Sequence, residues 1–156
     1  MKSAEQSKVL SAPYVLEYTY RRSVGPVIGR FLAGLQEGKI FGGKSASGKV
    51  VVPPTEYDPE TSDPVTDLVE VGQSGVVTSG SWAAAPRAHQ PLDRPFAWAL
   101  IKLDGADTAM LHAVDAGDMA NMASGMRVRA RFAAERSGSI RDIACFELET
   151  SGKAAP

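Results

Sequence analysis

From Pro64 onward the chain is cut into short runs with the alternating character of strands, and this pattern limits the fold more than any other feature. The runs are 68–71, 75–85, 96–103, 108–114, 126–133 and 140–149, separated by Gly, Pro, Asp or Ser. The first two, broken at Gln73-Ser74-Gly75, read as one long bent strand, because a glycine there permits a bulge. That leaves five strands, with 118–123 offering one helical turn between the third and the fourth. Short antiparallel strands expose unpaired edges, and closing them on themselves removes those edges. Five strands with a small helix at that place is the plan of an oligonucleotide/oligosaccharide-binding (OB) barrel, so the expected class is mainly β.

The first 64 residues are of a different kind. Residues 1–12 are polar, small and without period, and read as a loose tail, as do 151–156 at the other end. An aromatic extended run follows, Pro13-Tyr-Val-Leu-Glu-Tyr-Thr-Tyr-Arg-Arg, which would leave Tyr14, Tyr18 and Tyr20 bare if solvated. It is either an edge strand of its own domain or an arm that packs on a neighbour. Val27, Ile28, Phe31, Leu32 and Leu35 recur at helical spacing between Pro26 and the stop at Gly38, predicting an amphipathic helix over 26–37. Gly29 and Gly34 weaken that helix in isolation, so it depends on tertiary or intersubunit packing, with Phe31 and Leu35 as candidate docking residues. Next comes 38–59, two short extended runs at 40–44 and 49–52 joined by a Ser/Gly turn and closed by Pro53-Pro54. Its few large apolar side chains cannot offset the entropy of ordering it, so something outside the segment must hold it. The expected organisation is therefore a tail at 1–12, an arm, helix and hairpin segment at 13–64, a barrel at 65–150 and a tail at 151–156.

Composition excludes several functions. A formal net charge of −1 gives no long-range field for collecting polyanions, so general nucleic-acid binding is disfavoured. One cysteine, Cys145, rules out an internal disulfide and a thiolate-only zinc site, and suits a reducing compartment. The longest apolar run, 96–101, is far short of the roughly 20 residues a spanning helix needs, and the expected location is the cytoplasm.

Candidate chemistry is sparse. Gly43-Lys-Ser-Ala-Ser-Gly48-Lys49 matches most of a phosphate-binding loop, but Val50 stands where the magnesium-binding hydroxyl belongs and a strand follows instead of a helix. Arg127, Arg129 and Arg131 alternate with Val128, Ala130 and Phe132, placing three guanidinium groups on one face of a strand. A solvated outer face explains them simply; the functional reading is a docking surface for an acidic ligand or partner. His89 and His112 lie on different elements, and His112 beside Asp115 reads as a core or rim residue, while Cys145 reads as a buried structural thiol. Trp82, Arg94, Phe96 and Trp98 flank the 83–93 connection, a loop able to reach a ligand or partner, with core and rim packing the plainer role for the two Trp. Neither a Ser/His/Asp spacing nor a metal-ligand cluster emerges, so no catalytic residue is assigned.

Five stretches in order resemble a family of small acyl-CoA-associated proteins that join an N-terminal helical arm and a rubredoxin-like zinc ribbon to a C-terminal OB barrel. They are Phe31-Leu-Ala-Gly-Leu-Gln-Glu-Gly-Lys-Ile, Gly48-Lys-Val-Val-Val-Pro-Pro, Arg94-Pro-Phe-Ala-Trp-Ala-Leu-Ile-Lys-Leu-Asp-Gly, Ala109-Met-Leu-His-Ala-Val and Gly125-Met-Arg-Val-Arg-Ala-Arg-Phe. Where that family carries two Cys-x-x-Cys pairs, this chain has Lys44, Ser47, Asp58 and Thr61. An ammonium at one corner would repel a cation, so the resemblance implies a degenerate, metal-free ribbon. A structural zinc is worth about 10 kcal/mol or more to such a module, so other contacts, with the barrel or with a partner subunit, must replace it. The resemblance further implies a non-catalytic accessory subunit of a thiolase-like (sterol-carrier-type) lyase, a retro-aldolase or thiolase acting on a CoA thioester, with steroid side chains among the expected substrates. No cofactor would be held tightly, and the CoA substrate would be shared with the catalytic subunit. Partner contacts would come from Tyr14, Tyr18, Tyr20, Phe31 and Leu35, and ligand or partner contacts from Trp82, Arg94, Phe96, Arg127, Arg129 and Arg131. The competing expectation is an autonomous module binding acyl-CoA or nucleic acid through the arginines.

Overall fold

The structure, a computed structural model, describes residues 10–19 and 23–149. The elements run α1 (Pro26–Gln36), β1 (Ile40–Lys44), β2 (Val50–Val51), β3 (Asp67–Val71), β4 (Ser74–Ala83), β5 (Phe96–Leu103), β6 (Ala109–Asp115), a 3-10 turn (Met119–Asn121), β7 (Arg127–Phe132), a second 3-10 turn (Ile140–Asp142) and β8 (Ile143–Leu148). Strands β4-β5-β6-β8-β7 close into a barrel, β7 returning to β4 through Ser74↔Arg129 to Val76↔Arg127. All neighbours are antiparallel except β6 and β8, whose parallel ladder is only Val114↔Phe146 and Asp115↔Glu147. The five-stranded OB barrel with one helix ahead of its strands is thus as the run pattern predicts, including a helical turn between the third and fourth barrel strands.

The predicted long bent strand does not exist. Residues of β3 pair along their whole length with β1, Ile40↔Val71 to Lys44↔Asp67, in a separate sheet of order β2-β1-β3. The chain enters the barrel only at Ser74, and the bulge in β4 falls between Val77 and Ser79. Gly75 serves close approach: a Cβ there would lie 2.5 Å from the Lys102 carbonyl oxygen. Alternation records which face of a strand is buried and is silent on which strand lies beside it.

Phe31 (3% exposed) and Leu35 (0%) turn inward and join Ile40, Val52 and Val71 in one continuous core with Val77, Ile101, Val128 and Phe146 of the barrel. They are therefore core residues, and their assignment to partner docking is corrected; each fully buried side chain of this kind contributes about 1.5–3 kcal/mol. The glycine that weakens α1 has a packing reason, since a Cβ at Gly34 would sit 2.5 Å from the Phe41 ring that lies against it. No side chain of the preceding loop caps α1. Instead Glu56 reaches back across 28 residues, its carboxylate accepting from the amides of Val27 (3.2 Å) and Ile28 (2.9 Å).

The hairpin segment is held by the barrel. Thr108 Oγ1, in the turn between β5 and β6, accepts from the Val52 amide (2.8 Å) and donates to the Val52 carbonyl (3.1 Å). Beside it the Asp107 carboxylate accepts from the Val50 amide (2.8 Å), and the Asp107 amide donates to the Val50 carbonyl (2.8 Å). Gln73 Nε2 donates to the Gly38 carbonyl (2.8 Å). These are the contacts that an under-filled hairpin requires.

Candidate functional site

The four positions where the resembled family would place zinc thiolates do not fit the metal. Lys44, Ser47 and Thr61 are exposed, and Asp58 is buried with its carboxylate already accepting from the amides of Glu60 (2.7 Å) and Thr61 (3.4 Å). The first loop is closed by Ser45 and Ser47, whose hydroxyls lie 2.8 Å apart, while Lys49 and Glu60 pair across to the second. Each turn satisfies its own polar groups, an arrangement without a vacant donor set for a divalent cation. Among the described residues a second group with metal-ligating atoms, Asp115, Cys145 and Glu147, is already engaged: Arg94 pairs with Asp115, Arg131 pairs with Glu147, and Arg131 Nη2 donates to Cys145 Sγ (3.1 Å). Burial pushes the Cys145 thiol up, against the pull of Arg131, so it stays protonated and is a packing residue.

The arginine row is largely neutralised within the chain. Arg127 makes a bidentate pair with Asp104 (2.7 Å on both nitrogens) and a further contact with Glu149 (2.9 Å), which holds the Asp104 and Glu149 carboxyls below their usual range. Arg131 is paired as described, leaving Arg129 as the one member of the row that makes no ion pair among the described residues. The acidic partners come from distant positions, which a strand-by-strand reading does not reveal. Phe96 (0% exposed) is also removed from the candidate surface. It packs with Leu92, Ala113 and Cys145 in a second small cluster, partly covered by Trp98. Arg94 is exposed and Trp82 half-buried, so these two remain on or near the surface, with Trp82 bordering a shallow hollow with Met119 and Met122.

Residues 10–19, the end of the predicted tail and most of the aromatic run, are exposed throughout, Tyr14 at 85% and Tyr18 at 78%, with Val15 and Leu16 also bare. No strand includes them, so an edge-strand role is excluded for this segment. Tyr20, Arg21 and Arg22, residues 1–9 of the first tail, residue 150 and the whole second tail, 151–156, lie outside the described residues.

A hollow lies where β6 and β8 part company. Their ladder covers only Val114–Asp115 against Phe146–Glu147, and on the other side of it a cavity of about 610 Å³ is lined by Leu111 and His112, by Ile143 and Ala144, by His89, Gln90 and Pro91 of the β4–β5 loop, by Trp98, and by Ile140 and Arg141. This is the sheet face and loop pair on which OB barrels hold ligands. Trp98 is set edge-to-face on Phe96, centroids 5.3 Å apart and planes at 70°. Leu111 and Leu100 are directly opposed on β6 and β5, and both are exposed. The 3-10 turn bearing Ile140 and Arg141 is braced by Asp142, whose buried carboxylate accepts from the amides of Ser137 (3.0 Å), Gly138 (2.8 Å) and Ser139 (3.2 Å).

His112 is 6% exposed, packs edge-to-face on Phe146 with centroids 5.5 Å apart, and leaves its buried Nδ1 without a hydrogen-bond partner. Burial pushes its pKa below the usual imidazole range, against the backbone at Ala113 and Ile140, so the ring is neutral. The sequence marked His89, His112 and Trp98 but did not assemble this site. His89, Gln90, Leu111, Ile140 and Arg141 carry no local motif, and only the meeting of three separate segments makes them one wall.

Comparison with known proteins follows the fold. No curated protein matches the chain by sequence. Among solved structures, the crystal structure of a DUF35-family protein of unknown function from Sulfolobus solfataricus is similar over 80% of this chain and 87% of its own, with 20% identity and a TM-score of 0.60. The Ltp2-ChsH2(DUF35) aldolase is similar over 82% of this chain and 98% of the matched chain, with 17% identity and a TM-score of 0.60. At these identities the likeness is one of fold. Residues 68–133, from β3 through β7, match the family described as ChsH2, C-terminal OB-fold domain. Over that stretch, which holds four of the five barrel strands, the chain is similar to the ChsH2 C-terminal OB-fold family.

Proposed function

We propose that this protein is a non-catalytic accessory subunit of an aldolase-type complex, with a thiolase-like subunit supplying the residues that break or make a carbon–carbon bond beside a CoA thioester. On this reading the chain stabilises that subunit and helps form its CoA or substrate entrance, and steroid side chains are the substrate class to try first. The observation that carries it is the arm: Tyr14, Val15, Leu16 and Tyr18 stand bare on a chain whose helix, ribbon and barrel already satisfy one another. An apolar, tyrosine-rich segment left over from a completed core is what a protein interface uses as its anchor. The similarity of fold to a chain of the Ltp2-ChsH2(DUF35) aldolase supports the same reading. Internal pairing of Arg127 and Arg131 weighs against the autonomous module built on the arginine row. Among the described residues no helix is long and apolar enough to cross a membrane.

The test is co-expression with a candidate thiolase-like subunit, size-exclusion chromatography, and a lyase assay on each chain alone and on both together. Co-elution, activity that needs both chains, and loss of co-elution in the Tyr14→Asp/Tyr18→Asp double variant are expected. A lone chain that turns over a CoA ester by itself, or a complex indifferent to the double substitution, would overturn the proposal.

A further inference from the structure

We infer that the cavity in the β6–β8 seam is a binding site for a small acid with a flat aromatic or heteroaromatic body, complete within this chain and additional to any partner contact. Its volume of about 610 Å³ falls within the range of sites that enclose small molecules, roughly 300–1,000 Å³. Pro91, Trp98, Leu111 and Ile143 form apolar walls, and the edge-to-face contact with Phe96 fixes the Trp98 ring so that the wall does not fold into the space. A planar group matches such a wall by stacking or sandwiching, at little entropic cost to a ring already held.

Charge selects the sign of the ligand. Not one carboxylate lines the cavity, whereas Arg141 does, and its guanidinium makes no ion pair among the described residues. The backbone beneath it is fixed, the Arg141 amide donating to Ser139 Oγ (3.2 Å) within a turn that Asp142 braces. A preset cation at the mouth of an apolar hollow favours an anionic substituent on the occupant.

His112 is the second, independent sign of a ligand. Buried polar atoms are almost always paired, yet its Nδ1 is not, although the residue is more than nine-tenths buried and lines the cavity. A neutral imidazole has one donor and one acceptor nitrogen, so a ligand N–H, O–H or acceptor atom that meets Nδ1 as the ring turns toward the cavity would complete it. Apolar walls, one cation and one unpartnered imidazole nitrogen together specify an aromatic acid whose acid oxygens can meet both Arg141 and His112.

Titration of the full-length ¹⁵N-labelled protein with 1-naphthyl phosphate, followed by amide shifts and by the Trp98 indole resonance, tests this. Saturable changes clustered at 89–90, 111–113 and 140–144 are expected, with 1-naphthol and inorganic phosphate each binding about tenfold more weakly or worse. Arg141→Ala should weaken 1-naphthyl phosphate by about tenfold. His112→Phe, which keeps an aromatic ring against Phe146, should weaken it by about fivefold. Leu111→Asp, at an exposed position that leaves the core intact, should abolish binding. Shifts confined to the arm or to the Trp82 side, an equal response to phosphate alone, or wild-type affinity in Arg141→Ala would overturn the inference. The titration needs no partner, so its failure and the failure of the accessory-subunit reading are separate results.

Discussion

Substituting Thr108 by Val removes one hydroxyl and keeps the shape of the side chain, which makes it a direct probe of what holds the ribbon in place. The Thr108 hydroxyl both accepts from and donates to the backbone of Val52, which is 2% exposed. On its other side β2 meets β1 through Gly43↔Val51 and Lys44↔Val50, so the Val52 amide and carbonyl have Thr108 as the partner the structure provides. Valine would leave both groups in a place water does not reach. An unsatisfied buried backbone group costs about 1–3 kcal/mol, and two that share one site should cost about 3 kcal/mol together. For a folded unit of this size that corresponds to a fall in Tm of about 10 °C. Thr108→Ser keeps the hydroxyl and loses one methyl group, and should cost about 0.8 kcal/mol. Urea unfolding of the three proteins, with hydrogen exchange at the Val50 and Val52 amides, separates global from local loss. If Thr108→Val falls within about 0.5 kcal/mol of the parent, or if Thr108→Ser is as damaging as Thr108→Val, the clasp is not what secures the ribbon.

Three further outcomes follow from the same structure. Glu56→Ala removes the long-range cap of α1 and should lower stability by about 1–2 kcal/mol, with Glu56→Gln recovering part of it; unchanged urea midpoints would refute the cap. Asp142 is opposed by burial but held below its usual range by the amides of Ser137, Ser139 and Gly138 and by Arg136, so its folded pKa lies under its unfolded one. Its contribution is therefore complete above about pH 4 and lost as the pH falls through the folded value; Asp142→Asn should flatten that acid limb in a thermal-melt series. Elemental analysis of purified protein should find zinc far below one atom per chain, and a chelator should leave Tm unmoved, because Lys44, Ser47, Asp58 and Thr61 offer no thiolate.

By itself the sequence determined the local structure. The helical spacing from Val27 to Leu35 became α1 and the run at 96–103 became β5 with the same ends, because the period of burial is written in consecutive residues. The stop at Gly38 and the turn at Gly48 were legible because glycine alone takes up such left-handed positions readily. Tertiary structure alone decided the partners: β3 joining β1 instead of β4, Phe31 and Leu35 facing this chain's own core, Arg127 finding Asp104 and Glu149, and Asp107 and Thr108 holding the backbone of Val50 and Val52. The cavity belongs to that second group, since 89–91, 111–112 and 140–144 share no pattern until the barrel closes. A side chain's spacing fixes the face it occupies, whereas what it meets there depends on residues tens of positions away, and a period of two or 3.6 carries no record of them.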